Sequence, residues 1–198
     1  GAAFGVVTLY AGGQGGLVGS TLENKREYCL RHGCALYSPA LLASTSEARQ
    51  PARPHYTKIL GVLHALTSPS LAHAWVMWTD ADAVFFNTSA SPKVMVEEVD
   101  VVLTWPLNTG CFLVKNSEWS RQWLQDWFRH DLDGPRAKES RWNDQGALID
   151  LLATAPKARE KVAFVPYPLL AAEWPWYATS SWQVHTPGRP MPQKIDIL

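Results

Sequence analysis

Apolar residues fall into short runs separated by polar segments, which is typical of a chain that alternates strands and helices. Residues 4–10 are rich in β-branched and aromatic side chains and predict a first strand, and residues 74–79 predict a strand buried on both faces. Residues 20–31 open with Ser-Thr-Leu-Glu, a capping box, and predict a helix that Ser20 caps. A short strand at residues 34–37 completes a predicted βαβ unit, so the pattern indicates an α/β fold.

The rest of the chain continues this alternation. Helices are predicted at residues 55–67, 117–130 and 144–153, the last two capped by Ser117 and Asn143, and strands at residues 99–105, 107–116 and 162–165. Residues 41–54 and 131–141 have no period and predict loops, and the proline-rich tail from Pro166 predicts an irregular segment over the surface or the site. The tryptophan stripe recurs at helical spacing and predicts buried core; it comprises Trp119, Trp123 and Trp127.

Glycines follow the first strand in the sequence AGGQGG and predict a flexible loop. In open α/β sheets ligands bind beyond the carboxyl ends of the strands, so Thr8, Tyr10 and Ala11 are candidates to line a ligand crevice. The spacing of these glycines does not match the dinucleotide-binding fingerprint. A plain glycine hinge explains the same residues equally well.

Composition limits the class of protein. The 198 residues are 46% hydrophobic and 18% charged with a net charge of zero, which predicts one globular domain and argues against a nucleic-acid partner. Apolar runs stay below 18 residues and the chain opens directly on a strand, so neither a membrane span nor a secretory signal is expected within it. The three cysteines lack metal-ligand spacing, and the ten tryptophans fit either a large aromatic core or a sugar-stacking site.

An acidic triplet, Asp80-Ala81-Asp82, ends the predicted central strand. Aspartates are rarely buried unless they are paired or bind a metal, so two of them here predict a crevice that holds a cation. In extended backbone Asp80 and Asp82 would share a face about 6–7 Å apart, close enough to hold one divalent ion directly or through a water. The alternative is a turn at the strand end in which both side chains cap backbone amides.

Other polar residues form a set that packing alone does not explain. Asn108-Thr109-Gly110 predicts a turn, Asn143-Asp144-Gln145 lies at a helix start, and His185 follows a long irregular stretch. Lys58 lies on the first turns of its predicted helix, where a solvated charge is the simplest interpretation.

Five ordered blocks carry a resemblance to known proteins: NKREYCLRHGCALY, the YTK helix, VMWTDADAVF, LNTGCFLVKNSEWSRQWLQDW and NDQGALIDLL. Together they make the chain similar to the metal-dependent sugar transferases of the GT-A fold, and most closely to glycosyltransferase family 34, the fungal α-galactosyltransferases and plant xyloglucan xylosyltransferases. The resemblance implies a Rossmann-like, mostly parallel central sheet flanked by helices. It also implies a single catalytic domain over residues 1–198, with a nucleotide-binding half at 1–105 and a sugar and acceptor half at 106–198.

The resemblance implies roles for individual residues. Asp80, Asp82 and His185 would bind Mn²⁺, with the Asp80-Ala81-Asp82 triplet also contacting the ribose and diphosphate of the donor. The other implied donor contacts are Lys58, Asn108, Thr109 and Gly110, and the implied catalytic group near the transferring sugar is Asn143, Asp144 and Gln145. The family expects a basic residue five or six positions after the late histidine, where this chain has Pro190 and Met191; Gly188 and Arg189 are the nearest candidates to hold the diphosphate.

The implied activity is a metal-dependent, retaining transfer of a sugar, galactose or xylose, from a UDP-sugar to a glycan or glycoprotein acceptor in the Golgi lumen. Any membrane anchor would lie outside this chain. Related alternatives are the glycogenin-like and arabinosyltransferase-like families, which share the acidic triplet. A metal-dependent phosphohydrolase and a non-catalytic sugar binder of the same fold are further alternatives.

Overall fold

The structure is a computed structural model of the chain and describes residues 4–9, 15–38, 54–68, 73–91, 98–133, 143–155, 157–173 and 181–185. The strands are β1 (Phe4–Val7), β2 (Ala35–Tyr37), β3 (Trp75–Thr79), β4 (Ala83–Phe85), β5 (Val101–Trp105), β6 (Cys111–Lys115), β7 (Val162–Pro166), β8 (Ala172–Glu173) and β9 (Gln183–His185). The α-helices are α1 (Gly15–His32), α2 (Thr57–Thr67), α3 (Glu118–Asp133), α4 (Asn143–Thr154), α5 (Ala158–Lys161) and α6 (Tyr167–Ala171), and a 3-10 turn spans Pro54–Tyr56.

Six strands form the main sheet in the order β2-β1-β3-β6-β5-β7. Strand β6 runs antiparallel to its neighbours β3 and β5, and the other pairings are parallel. A second, three-stranded sheet has the order β4-β9-β8. The predicted α/β class with a mostly parallel central sheet is confirmed, and β1, α1 and β2 form the predicted βαβ unit.

Helices cover both faces of the main sheet, which is why all five residues of β3 are buried. On one face α2, α3 and α4 pack over a cluster that includes Ile59, Phe112 and Leu148. The other face carries a cluster that includes Tyr28 of α1, Leu170 of α6 and Trp182. The core therefore consists of two layers with the sheet between them.

The tryptophan stripe lies on α3 and belongs to the first of these clusters. The rings of Trp119 and Trp123 stack with centroids 5.9 Å apart, and Trp123 and Trp127 follow at 5.6 Å. Trp123 and Trp127 are buried, as the helical spacing predicted. Ser117 caps this helix, because its hydroxyl accepts the backbone N–H of Ser120 at 3.1 Å.

Helix α1 begins at Gly15, so the prediction that Ser20 caps it is wrong. Ser20 lies inside the helix, and two of the glycines predicted to be loop form its first turn. Packing of the buried residues Thr21, Lys25 and Tyr28 fixes the helix, and an added turn costs only about 1 kcal/mol for each glycine relative to alanine. Tertiary contacts therefore outweigh the local capping signal.

Two predictions about loops are also wrong. Helix α3 continues to Asp133, although residues 131–133 were predicted to be loop. The tail from Pro166 was predicted to be irregular, but it contains α6, β8 and β9. Pro168 is compatible with α6 because it lies in the first turn, where its missing N–H would have no helical partner. Residues 41–53 and 134–141, also predicted as loops, lie outside the described residues.

None of the described helices combines the length and apolar character needed to cross a lipid bilayer.

Candidate metal and donor site

The polar residues singled out above gather at one edge of the main sheet. Asp80 follows β3, the turn at residues 108–110 connects β5 to β6, and His185 ends β9. Asp144 lies in the first turn of α4. Carboxyl ends of parallel strands meet at this edge, which is where open α/β sheets bind ligands.

Asp80, Asp82 and His185 form a compact cluster. One oxygen or ring nitrogen from each lies within 4.8 Å of the others. The His185 Nε2 atom is 3.1 Å from Asp82 Oδ1 and 3.6 Å from Asp80 Oδ2. Asp82 and His185 are buried, and Asp80 is partly buried.

A turn, and not extended backbone, carries the two aspartates. The Ala83 N–H donates to the Asp80 carbonyl at 3.2 Å, so the chain reverses direction through the triplet. The expectation that Asp80 and Asp82 lie on one face of an extended strand is therefore wrong, because the backbone that carries them is a turn. The Trp78 Nε1–H fixes Asp80 further by donating to its Oδ1 at 2.7 Å.

The three-stranded sheet brings His185 to the aspartates. Strands β4 and β9 pair antiparallel with Ala83 opposite His185, so the histidine lies beside the residue that follows Asp82. Gly110 lies against the imidazole, because a Cβ atom added there would come 2.2 Å from His185 Cε1. A side chain at position 110 would therefore displace the histidine.

The turn between β5 and β6 is fixed by its own polar groups. The Gly110 carbonyl accepts the Asp80 N–H at 2.8 Å, and its N–H donates to Asn108 Oδ1 at 2.7 Å. The Asn108 N–H donates to Thr104 Oγ1 at 3.0 Å. Thr109 is buried. These bonds join the residues that the resemblance implies as donor contacts directly to the acidic turn.

Lys58 is buried at the centre of the site, so its interpretation as a solvated charge is wrong. Its Nζ atom is 3.5 Å from Asp80 Oδ1, 3.2 Å from Asp144 Oδ2 and 3.1 Å from the Thr109 carbonyl. Burial by itself lowers the pKa of Lys58, but the carboxylates of Asp80 and Asp144 outweigh it and raise the pKa. The ammonium stays charged at neutral pH and lies 5.7 Å from the ring centre of Trp78.

Asp144 reaches the site from α4, and α3 holds it there. The Trp127 Nε1–H donates to the Asp144 backbone carbonyl at 2.8 Å, so the tryptophan stripe supports the first turn of α4. Gln145 is partly buried beside it. Asn143 begins α4, but its side chain lies outside the described residues.

The ligand atoms of Asp80, Asp82 and His185 suit a divalent ion. Carboxylate oxygens are hard ligands and imidazole is a borderline one, and Mn²⁺ accepts both. The His185 Nε2 atom points at the carboxylates, and its buried Nδ1 has no hydrogen-bond partner in the part of the chain that the structure describes. Asp80, Asp82 and His185 are therefore the residues that would hold the ion.

Lys25 of α1 is part of this site, and the sequence analysis missed it. Its Nζ atom donates to the Ala83 carbonyl at 2.7 Å and lies 3.5 Å from the Ala81 carbonyl. Burial lowers the pKa of Lys25 to about 7, against the opposing effect of the Asp82 and Asp80 carboxylates. No local pattern distinguished Lys25, because the carbonyls that it contacts lie 56 and 58 positions away in the chain.

The remaining predicted residues divide into two groups. Ala81 and Thr8 are buried, and the Thr8 Oγ1 has no hydrogen-bond partner within the described ranges, which suits a group that meets a ligand. Four further candidates lie outside the described residues, namely Tyr10, Ala11, Gly188 and Arg189.

Comparison of the sequence with known protein families identifies one that matches this chain. The model of the galactosyl transferase GMA12/MNN10 family matches residues 7–104 and 103–186. The chain belongs to this family. The family assignment made from the five sequence blocks is thereby confirmed.

Two named relatives match most of this chain but only part of their own length. "Probable glycosyltransferase 6" of Oryza sativa subsp. indica is 32% identical over 176 residues, which cover 71% of this chain and 34% of the relative. "Xyloglucan 6-xylosyltransferase 1" of Arabidopsis thaliana is 28% identical over 162 residues, 68% of this chain and 34% of the relative. The chain thus spans about a third of the length of these two relatives.

A solved structure matches the fold over nearly its whole length. The crystal structure of a glycosyltransferase involved in the glycosylation of the major capsid of PBCV-1 superposes with a TM-score of 0.77 and covers 98% of both chains. Sequence identity between the two chains is 13%, so this likeness supports the α/β fold of this chain and nothing about its activity.

Proposed function

We propose that this chain is the catalytic domain of a Mn²⁺-dependent, retaining glycosyltransferase that moves a sugar from a UDP-sugar to a glycan or glycoprotein acceptor. The observation that carries the proposal is the position of Lys58 between two acidic groups. Its ammonium contacts Asp80, which belongs to the metal cluster, and Asp144, which lies outside it. One buried cation thus links the residues that would hold the diphosphate to the residue that would face the sugar.

The chemistry proposed for the ion is charge stabilisation: bound at Asp80, Asp82 and His185, it would offset the negative charge that develops on the leaving diphosphate. Lys58 places a second positive charge beside the same group. Since its pKa is raised, it is fully charged at neutral pH. Together these groups favour departure of UDP without a proton transfer.

Asp144 and Gln145 are assigned to the transferring sugar. When the bond to the diphosphate breaks, the anomeric carbon gains positive charge, and a carboxylate held nearby stabilises it. Asp144 is buried and is fixed through its backbone by Trp127, so it needs little rearrangement as the reaction proceeds. Asn108, Thr109 and Gly110 are proposed to line the sugar pocket, and Thr8 to contact the nucleotide.

The donor sugar is proposed as a hexose or pentose. The family description names a galactosyl transferase, and the Arabidopsis relative is named for xylose. We extend the proposal to an acceptor that is a glycan or glycoprotein and to a place in the Golgi lumen, on family membership alone. The division into a nucleotide-binding half at 1–105 and a sugar and acceptor half at 106–198 belongs to the same proposal.

Incubation with Mn²⁺ and a panel of UDP-sugars tests the function, with release of UDP as the measurement. A transferase releases UDP slowly from one or two donors even when water is the acceptor. Asp82→Asn should abolish release, and Asp126→Asn, which changes a solvent-facing carboxylate of α3, should not. Release of phosphate from simple esters would indicate a phosphohydrolase, and UDP binding without release would indicate a non-catalytic binder.

A further inference from the structure

One face of α1 lies along the segment that follows the acidic triplet. The Asn24 side chain exchanges two hydrogen bonds with the backbone of Phe85: it accepts the Phe85 N–H at 2.7 Å and donates to the Phe85 carbonyl at 3.1 Å. Lys25 contacts the carbonyls of Ala83 and Ala81 in the turn itself. The helix thus replaces a neighbouring strand along this part of the chain.

The same face continues toward the end of α1. The Tyr28 ring stacks on Phe85 with centroids 3.6 Å apart, and its hydroxyl donates to the Ala90 carbonyl at 2.8 Å. The Arg31 guanidinium donates to Thr88 Oγ1 at 2.8 Å. Positions 24, 25, 28 and 31 lie on one side of a helix, so the contacts form a continuous row.

Among these residues of α1, Lys25 is the one that contacts the backbone of the acidic turn. Ala81 and Ala83 flank Asp82, and the carbonyls of both face the one ammonium. The Ala81 carbonyl belongs to the peptide plane that precedes Asp82, and the Ala83 carbonyl belongs to the plane that follows Ala83, so the ammonium restrains the chain on both sides of residues 82–83. Asp82 lies between these two restrained planes, so the direction of its side chain depends on Lys25.

We propose that Lys25 is a positioning residue for the metal site, which keeps the turn at residues 80–83 in the shape that aims Asp82 at His185. The inference rests on the proposed function, since it concerns the ion assigned there. Packing alone would favour an apolar side chain at this fully buried position beside Tyr28 and Cys29, because burying an ammonium is costly. The carbonyl contacts and the nearby carboxylates compensate for that cost.

Whether Mn²⁺ affinity falls or rises when Lys25 is replaced distinguishes a positioning role from a purely electrostatic effect of its charge. An ammonium near two carboxylates repels an incoming cation, so loss of its charge alone would tighten Mn²⁺ binding. Loss of positioning has the opposite effect, because the carboxylates no longer converge. Lys25→Met is therefore expected to weaken Mn²⁺ binding if Lys25 positions the turn.

Mn²⁺ affinity, measured without nucleotide by the electron paramagnetic resonance of the free ion, tests this. The dissociation constant of Lys25→Met is expected to rise about tenfold, a change of about 1.4 kcal/mol. Arg31→Met is the matched control: it removes one positive charge from the same face of α1 but leaves the acidic turn, and its affinity should stay within about twofold of the native value. An unchanged or tighter affinity in Lys25→Met overturns the proposal.

A second readout needs no metal. The Ala83 amide donates to the Asp80 carbonyl across the turn, so its hydrogen exchange reports the shape of the turn in the metal-free protein. In Lys25→Met this amide should exchange about tenfold faster while amides of β5 and β6 exchange as before. Equal exchange at Ala83 refutes the role of Lys25, whereas a native protein that binds no Mn²⁺ refutes the proposed metal site.

If Lys25→Met does not fold, Lys25→Gln replaces it in both measurements. Glutamine retains a hydrogen-bond donor without the charge, so its exchange rate and Mn²⁺ affinity should fall between those of the native and methionine proteins. A folded glutamine variant with at least threefold weaker Mn²⁺ binding supports positioning. One that matches the native protein in both measurements contradicts it.

Discussion

The ammonium of Lys58 lies 3.2 Å from the carboxylate of Asp144, although 86 positions separate the two residues in the chain. The same ammonium is 3.5 Å from Asp80, so it joins α2 to the acidic turn and to α4. Two carboxylates that would otherwise face each other across a buried space thus share one cation. The stability of the site and its proposed chemistry depend on the same atom.

Lys58→Met should reduce both stability and activity. Removing one partner of a buried ion pair leaves uncompensated charge, which typically lowers the free energy of unfolding by about 3–5 kcal/mol. Urea denaturation measures this change. Arg129→Met breaks an exposed pair with Asp126 on α3 and should cost less than about 1 kcal/mol. Equal losses in the two variants would show that the Lys58 contacts are not formed in solution.

Asp80→Asn and Asp82→Asn are each expected to abolish Mn²⁺-dependent UDP binding while the protein stays folded. The cation must offset repulsion between the carboxylates and the diphosphate, and an amide supplies no charge to hold it. Calorimetric titration with UDP, in Mn²⁺ and in chelator, measures the effect. Undiminished UDP affinity of the native protein in chelator would contradict a metal-mediated site.

Gly110→Ala tests the close approach of the turn to His185. An added Cβ would come 2.2 Å from His185 Cε1, so the imidazole must move away from the aspartates. Mn²⁺ affinity should fall at least about tenfold, since one of three ligands is displaced. Gly19→Ala is the control, because among the described residues no atom beyond its own stretch of helix lies within 4 Å of its added Cβ, and alanine favours the helix. A Gly110→Ala protein with native Mn²⁺ affinity would remove His185 from the metal site.

Trp123→Ala should destabilise the protein by about 3–5 kcal/mol, because it empties a buried position between two other tryptophans of the stripe. Trp105→Ala removes a side chain that is 67% exposed and should change stability by less than about 1 kcal/mol. Thermal unfolding compares the two. If Trp123→Ala melts normally but uses acceptor poorly, the stripe is a glycan surface and not core.

Acid stability should depend on Asp100. Burial by itself raises the pKa of this carboxyl, but a hydrogen bond from Ser117 and the nearby Lys161 ammonium, 3.0 Å away, together lower it below its usual value. A lowered folded-state pKa stabilises the protein above the unfolded value of about 3.9, and this stabilisation is lost as the pH falls through the folded value. The difference in melting temperature between the native protein and Asp100→Asn should therefore shrink below about pH 4. A difference that is the same at pH 3 and pH 6 would contradict it.

The sequence predicted the main sheet well because its strands are apolar runs bounded by polar residues. β3 and the acidic turn were located to within a residue, and the cap at Ser117 was predicted correctly. These features depend on neighbouring positions in the chain, so a local pattern contains the information.

Features that depend on distant partners were not visible in the same way. β9 is three residues long and exists because β4 pairs with it, so nothing local distinguishes it from the irregular tail around it. Lys25 looks like any helix-surface lysine until the turn that it contacts, 56 positions away, is in place. The spacing of Asp80 and Asp82 already predicted a cation site, but the addition of His185 to that site came from family resemblance.

The pairing of β4 with β9 also bears on the order in which the protein folds. It joins residues about one hundred positions apart through three opposed pairs, so its loop-closure entropy is large and the hydrogen bonds that compensate for it are few. Contacts of this kind form late, after the local βαβ unit and the main sheet. A nascent chain should therefore complete its central sheet before it can complete the metal site, and cation binding should select molecules that have finished folding.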